Sequence, residues 1–332
     1  MNGITEYEMT FQRKINKILE ENKNLYGFYG FMTNISISSA YNYLRHIERF
    51  LLYLDGKPLN ELTIDDFTGY MIKIQRKDNG EKVTSSYKIT VYSALKKYGK
   101  YLVGSHQLES NPMDFVDRPK ATESQETISK RENGYLTTGE IKSYISAVKH
   151  GSGNDKSIAM QMEWKERDMA IIMIFLNTGI RCSALMKLDV KDINFQQKTL
   201  SVIDKESKYN VYNLSDEILN IIKDWLDKRR LLLFGTENDA LFISNRRTRM
   251  TQNAISYVVQ KYASDIKGKH ITPHKLRATY GTQLYNATKD IYFVQQCLKH
   301  NSPKTSELYI RGNDNSNQTG KASDIMKYIT LN

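Results

Sequence analysis

A chain of 332 residues has room for about two domains of roughly 150 residues each. Its 48 Lys and Arg against 37 Asp and Glu give a net charge of +11, and 40% apolar residues are too many for a disordered chain. The longest apolar runs, such as Met169–Leu176, fall far below the ~20 residues of a membrane span. The first ten residues carry acids and no apolar signal core, and Cys182 and Cys297 make neither a disulfide framework nor a cysteine zinc module. A cytoplasmic protein without a membrane partner is expected.

The first third predicts helices. Residues 11–28 form one candidate. Ser38 and Ser39 precede Tyr41, Leu44, Ile47, Phe50, Leu51 and Leu54, an apolar series at helical spacing that Asp55-Gly56-Lys57-Pro58 stops. Thr63 caps a further segment whose Asp65 and Asp66 suit a helix N-terminus. From about Thr84 to Val103, Tyr87, Val91, Leu95, Tyr98 and Leu102 share a face. A bundle of four or five helices is expected over residues 1–117. The polar, aperiodic stretch 118–133 reads as a linker.

From residue 134 the pattern changes. Thr137, Thr138 and Glu140 open a helix with a hydroxyl cap and a following glutamate. Arg167 to Asn177 predicts another, ended near Gly179. Thr199–Ile203 and Val211–Leu214 alternate like strands joined as a hairpin, helices return at about 215–233 and 251–265, and 270–332 is expected to be helical in short pieces. The expected fold is mostly α with a small antiparallel sheet. Of the net positive charge, 3 fall in residues 1–120 and 8 in the remainder. Such a surplus concentrates polyanions but does not separate DNA from RNA or an acidic protein.

Three stretches in the second half carry chemistry. In Thr272-Pro273-His274-Lys275-Leu276-Arg277, Thr272 suits an N-cap and Pro273 the first helical position. His274 and Arg277 then lie three residues apart at the positive end of a helix, an arrangement suited to phosphate. In Thr178-Gly179-Ile180-Arg181, a glycine turn after an apolar helix anchors Arg181 near the core, where it needs an anionic partner. In Leu298-Lys299-His300 through Tyr309, Ser302-Pro303 starts another helix and puts Tyr309 about two turns in. Taken singly, each stretch has an ordinary structural reading: a surface helix start, a salt bridge, a packed tyrosine.

Taken together, Arg181, then His274-x-x-Arg277, then His300, then Tyr309 resemble the tyrosine recombinase, or phage integrase, family, whose signature runs Arg, His-x-x-Arg, His or Trp, and Tyr. Arg167-Asp168 and Asn111-Pro112 also match its pattern. The resemblance spans nearly the whole chain and implies a helical (SAM-like) core-binding domain within residues 1–117 and a catalytic domain over 134–332 with a tail from 312. The family's lysine lies on the hairpin between two strands, which makes Lys205 the candidate and Lys208 the alternative. One departure is visible: Lys299 stands where the family usually has glycine.

The resemblance implies a site-specific recombinase that cuts and rejoins DNA through a 3′-phosphotyrosyl link. In that chemistry Arg181 and Arg277 clamp the phosphate, His300 donates to it, Tyr309 attacks, His274 assists proton transfer and Lys205 protonates the leaving oxygen. Because the covalent link conserves energy, neither ATP nor a metal is called for, and no cofactor is expected. The implied partners are double-stranded DNA with inverted-repeat core sites, a homotetramer on that DNA (monomeric or weakly associated when free), and a C-terminal tail exchanged between protomers. Lys88, Lys96 and Lys97, with Arg246, Arg247 and Arg249, are the candidate DNA contacts. A Xer-like resolvase and a small mobile-element integrase both fit a chain with no separate arm-binding domain expected. Type IB topoisomerase activity and an idle DNA-binding relative are the alternatives.

Overall fold

In the computed structural model, described for residues 6–76, 80–120, 134–203, 209–263, 266 and 269–299, the chain divides into two compact units, Met1–Gln125 and Glu126–Asn332. The first holds α1 (Glu6–Glu21), α2 (Leu25–Phe31), α3 (Ile37–Leu54), α4 (Ile64–Lys73) and α5 (Ser85–Gly104). The helix expected over 11–28 is two helices, divided around Asn22–Asn24, because the Asn22 side chain turns back to the Ile18 carbonyl (3.2 Å). α3 starts at a Ser36 cap that accepts the Ser39 N–H. It ends where Asp55 takes a left-handed conformation, followed by Gly56 at φ +83°. Thr63 and Asp66 form a reciprocal capping box at α4.

The core of this unit is aromatic and aliphatic. Leu44, Ile47 and Phe50 of α3 meet Phe67 and Tyr70 of α4 and Val91, Leu95, Tyr98 and Leu102 of α5. Phe50 lies 4.8 Å from Phe67 and 5.2 Å from Tyr70, ring centre to ring centre, and Phe28 meets Tyr98 edge-on at 5.0 Å. Gly99 lets the chain return across α5: a Cβ there would stand 2.0 Å from Asn111 Oδ1. Asn111 uses that space to donate to the Lys96 carbonyl (3.1 Å) and to accept the Met113 N–H (3.1 Å).

The second unit contains α6 (Thr138–His150), α7 (Asp155–Glu163), α8 (Lys165–Thr178), α9 (Cys182–Lys187), strands β1 (Ile193–Asn194), β2 (Thr199–Ile203) and β3 (Tyr209–Asn213), then α10 (Asp216–Leu232), α11 (Gln252–Lys261), α12 (Pro273–Thr288) and α13 (Ile291–Leu298). α7, α9 and β1 are additions to the elements expected from periodicity, all too short to show a repeat. The strands form an antiparallel sheet in the order β1-β2-β3, with Leu200 opposite Tyr212 and Ile203 opposite Tyr209. The β2–β3 pair is the expected hairpin.

α8 is the axle of the unit. Ala170, Ile171, Ile172, Ile174 and Phe175 are all fully buried, so the helix is apolar nearly all round, and α6, α10, α11 and α12 pack on it. Its start is held by an ionic cluster: Asp168, fully buried, accepts from Arg167 Nε (2.9 Å) and Tyr262 (2.9 Å) and pairs with Lys261 (2.5 Å). Arg167 also stacks on Trp164 at 4.3 Å. Among the described residues, no helix is long and apolar enough to cross a membrane.

Candidate active site

The chemistry-bearing stretches sit at the ends of α8, α12 and α13. α8 stops at Gly179, whose φ of +59° is the left-handed conformation that ends a helix. A Cβ there would lie 2.4 Å from Tyr280 and 2.8 Å from Leu298, so the position excludes a side chain twice over. Thr178 steadies the turn by donating to the Ile174 carbonyl (2.6 Å) and accepting the Ile180 N–H (3.2 Å). Arg181 follows as the half-buried N-cap residue of α9, its carbonyl accepting the Ala184 and Leu185 N–H groups.

Thr272 caps α12 as expected, accepting the Lys275 N–H (3.3 Å), and Pro273 occupies the first turn. His274 is exposed on that turn, whereas Arg277, one turn on, is 4% exposed. Lys275, between them, is held below its usual pKa by burial and by the Lys269 charge. The Arg277 guanidinium donates from one terminal nitrogen to the Gly179 carbonyl and from the other to the Leu298 carbonyl (2.6 Å). One side chain therefore ties the Gly179 turn, the His-x-x-Arg helix and the end of α13 at Leu298 to one another. Stretches about 100 residues apart in sequence meet there.

α12 is anchored from its other side by the start of the unit. Thr279 accepts the Leu136 N–H (2.9 Å), Gln283 donates to the Leu136 carbonyl (3.1 Å), and Lys269 donates to the Tyr135 carbonyl (2.9 Å) and Glu140 (2.7 Å). Burial works to raise the Glu140 pKa, but the Lys269 and Thr137 hydrogen bonds outweigh it and hold the carboxyl below its ordinary value. The motif reading did not find these supporting residues, since their partners lie up to 147 positions away.

Lys205, His300 and Tyr309, with the alternative Lys208 and the tail 312–332, lie outside the described residues. In the sequence Lys205 lies between Ile203 and Tyr209, the last paired residues of β2 and β3. Among the expected DNA contacts, Arg246 and Arg247 are exposed on a turn, Lys88 is half-buried on α5, Lys96 pairs with Asp114 (3.1 Å) and Lys97 lies 5.1 Å over Phe31. Arg249 is engaged within the unit. Its guanidinium donates to the Met186 carbonyl (3.1 Å), the Leu188 carbonyl (2.9 Å) and Asp189, and so helps to hold the end of α9. Those acceptors lie about 60 residues upstream and left no trace in the local basic cluster.

The phage integrase family model matches residues 135–316. The tyrosine recombinase XerS of Streptococcus agalactiae is 30% identical over 280 residues, covering 80% of this chain and 74% of the relative. The tyrosine recombinase XerC of Shewanella amazonensis is 27% identical over 277 residues, covering 83% and 85%. Among solved structures, the fold is similar to the XerH site-specific recombinase bound to its difH substrate (TM-score 0.67, 20% identity, 94% of this chain and 88% of that one). It is also similar to a lambda integrase dimer bound to a core site (TM-score 0.61, 17% identity, 92% and 96%). The chain belongs to the phage integrase family, the tyrosine recombinases. Its activity class within that family is tyrosine-type site-specific recombination.

Proposed function

We propose that this chain cleaves and rejoins double-stranded DNA at inverted-repeat core sites through a 3′-phosphotyrosyl link to Tyr309, within a tetrameric synapse. The observation that supports the reading is the Arg277 tie: its guanidinium bonds to the Gly179 carbonyl, two residues before Arg181, and to the Leu298 carbonyl at the end of α13, from the helix whose first turn carries His274. Phosphoryl transfer loads charge onto nonbridging oxygens, and fixed cationic donors stabilise that charge most where they need no rearrangement. A guanidinium held by two backbone carbonyls meets that requirement, because its plane is set before DNA arrives.

In this reading Arg181 and Arg277 clamp the phosphate and His300 donates to it. Tyr309 Oη attacks phosphorus as its proton passes toward His274, the P–O5′ bond breaks, and Lys205 supplies the proton that the 5′ oxygen takes up. Reversal with a partner strand's 5′ hydroxyl rejoins the DNA. The exposed Arg246 and Arg247, with Lys88, Lys96 and Lys97, contribute phosphate contacts that weaken with salt. The tail from 312 docks on a neighbouring protomer.

The test is a duplex nicked beside the scissile bond. The wild-type protein is expected to accumulate a covalent adduct, while Tyr309→Phe binds the same DNA and forms none. An adduct with Tyr309→Phe, or none with wild type, overturns the reading. A two-site assay then separates recombination, which exchanges partners, from topoisomerase-like relaxation, which does not.

A further inference from the structure

The residue that ends α13 is unusual for its position. Lys299 takes φ +54° and ψ +46°, the left-handed conformation in which glycine is the ordinary occupant, and its N–H closes the helix by donating to the Gln295 and Gln296 carbonyls (3.1 Å to the latter). Lys299 directly follows Leu298, whose carbonyl receives Arg277, and directly precedes His300. Its own side chain is exposed and runs back to the sheet, where the ammonium stands 5.9 Å over the ring of Tyr212. Tyr212 is 7% exposed and belongs to β3, the strand that follows Lys205 in the sequence.

Tyr212 is close to other parts of the same assembly. Tyr280, which packs on Gly179, feels both the Tyr212 hydroxyl and a hydrogen bond with Cys297. Burial raises the Cys297 thiol pKa, while the Tyr280 bond and the Lys299 charge pull it down. The end of α13, the Gly179 turn and β3 are therefore neighbours, and the Lys299 side chain reaches from the first to the third.

We infer that Lys299 is a positioning residue: its cation–π contact with Tyr212 fixes the end of α13 against the β2–β3 hairpin, and so sets the two elements that carry His300 and Lys205 relative to each other. The inference rests on the proposed function. Glycine at 299 would relax the backbone but release the hairpin, so stability and rate are expected to move in opposite directions. A merely structural residue would move them together.

The experiment combines adduct formation on the nicked duplex with thermal unfolding of the full chain. Lys299→Gly is expected to melt at a higher temperature than wild type yet form adduct about fivefold more slowly. Lys299→Met and Tyr212→Leu should each slow adduct formation about fivefold, and the double variant no more than either alone, the signature of one shared contact. Lys299→Arg and Tyr212→Phe keep cation and ring and should stay within about twofold of wild type. DNA affinity and its salt dependence should not change. The inference is overturned if Lys299→Gly is as fast as wild type, or if the two losses multiply. It also fails if Lys299→Met weakens DNA binding while Tyr212→Leu does nothing, which would make Lys299 a phosphate contact. A wild type that forms no adduct overturns the proposed function itself, and this inference with it.

Discussion

The two units solve different problems with different interiors. Among the described residues, the buried polar side chains of the first are His46 and Asn111, set in a core of rings and aliphatic chains. The second buries Arg167, Asp168, Arg229 and Arg277, together with Thr178, Thr279 and Thr282. Burying charge is costly unless it is paired, so a core with four ionised side chains is not the cheapest way to hold a fold together. The recurrent partners explain the choice. Arg229 donates to the Ala240 carbonyl (2.9 Å), Arg277 to the carbonyls of Gly179 and Leu298, and Arg167 to that of Ile243 (3.1 Å). Apolar packing positions helices, while these bonds position individual turns, which is what a reaction centre assembled from helix ends requires.

If that contrast holds, the largest stability effects belong to the ionic interior. Asp168→Ala strands Arg167 and Lys261 without their shared carboxylate and is expected to cost about 3–5 kcal/mol in urea denaturation. A loss below about 1 kcal/mol would show that the cluster is solvated rather than structural.

In the first unit the comparable test is His46. Burial, then the Arg49 and Arg45 charges, lower its pKa from 6.5 to about 4. Between those values the unfolded chain binds a proton that the folded chain refuses. Stability therefore falls as pH drops through 6.5 toward 4 and levels off below. The contribution is on the order of 3 kcal/mol, read as the difference in pH slope between wild type and His46→Gln. Equal slopes would remove the claim that the imidazole is held neutral.

A smaller stability effect, about 1–2 kcal/mol, is expected for Gly179→Ala, where both the positive φ and the Tyr280 contact oppose a Cβ. Its effect on adduct formation should be larger than its effect on melting, because the carbonyl it displaces is the one Arg277 holds. Proportionate losses would place Gly179 in the fold alone.

Local chemistry was the legible part of the sequence. The caps at Thr63, Thr84, Thr137 and Thr272 lie where hydroxyl residues precede apolar periodicity, and each accepts the N–H of the residue three positions on, as Thr84 does from Tyr87 (3.2 Å). The hairpin alternation of Thr199–Ile203 was equally plain. What the sequence concealed was pairing across distance. Arg249 resembles its neighbours Arg246 and Arg247 until the fold brings Asp189 beside it, and nothing near Asp168 announces Lys261 and Tyr262 as its partners. The order of Arg181, His274, Arg277, His300 and Tyr309 pointed to the chemistry, but nothing in it announced that Arg277 bonds the carbonyls of Gly179 and Leu298.

Arg277→Lys tests this most directly. Lysine keeps the charge but cannot bond two carbonyls in one plane while facing a phosphate. With DNA affinity within about threefold of wild type, single-turnover adduct formation is expected to fall at least about 100-fold. A variant that cleaves within a few-fold of wild type would show that this guanidinium does not assemble the reaction centre.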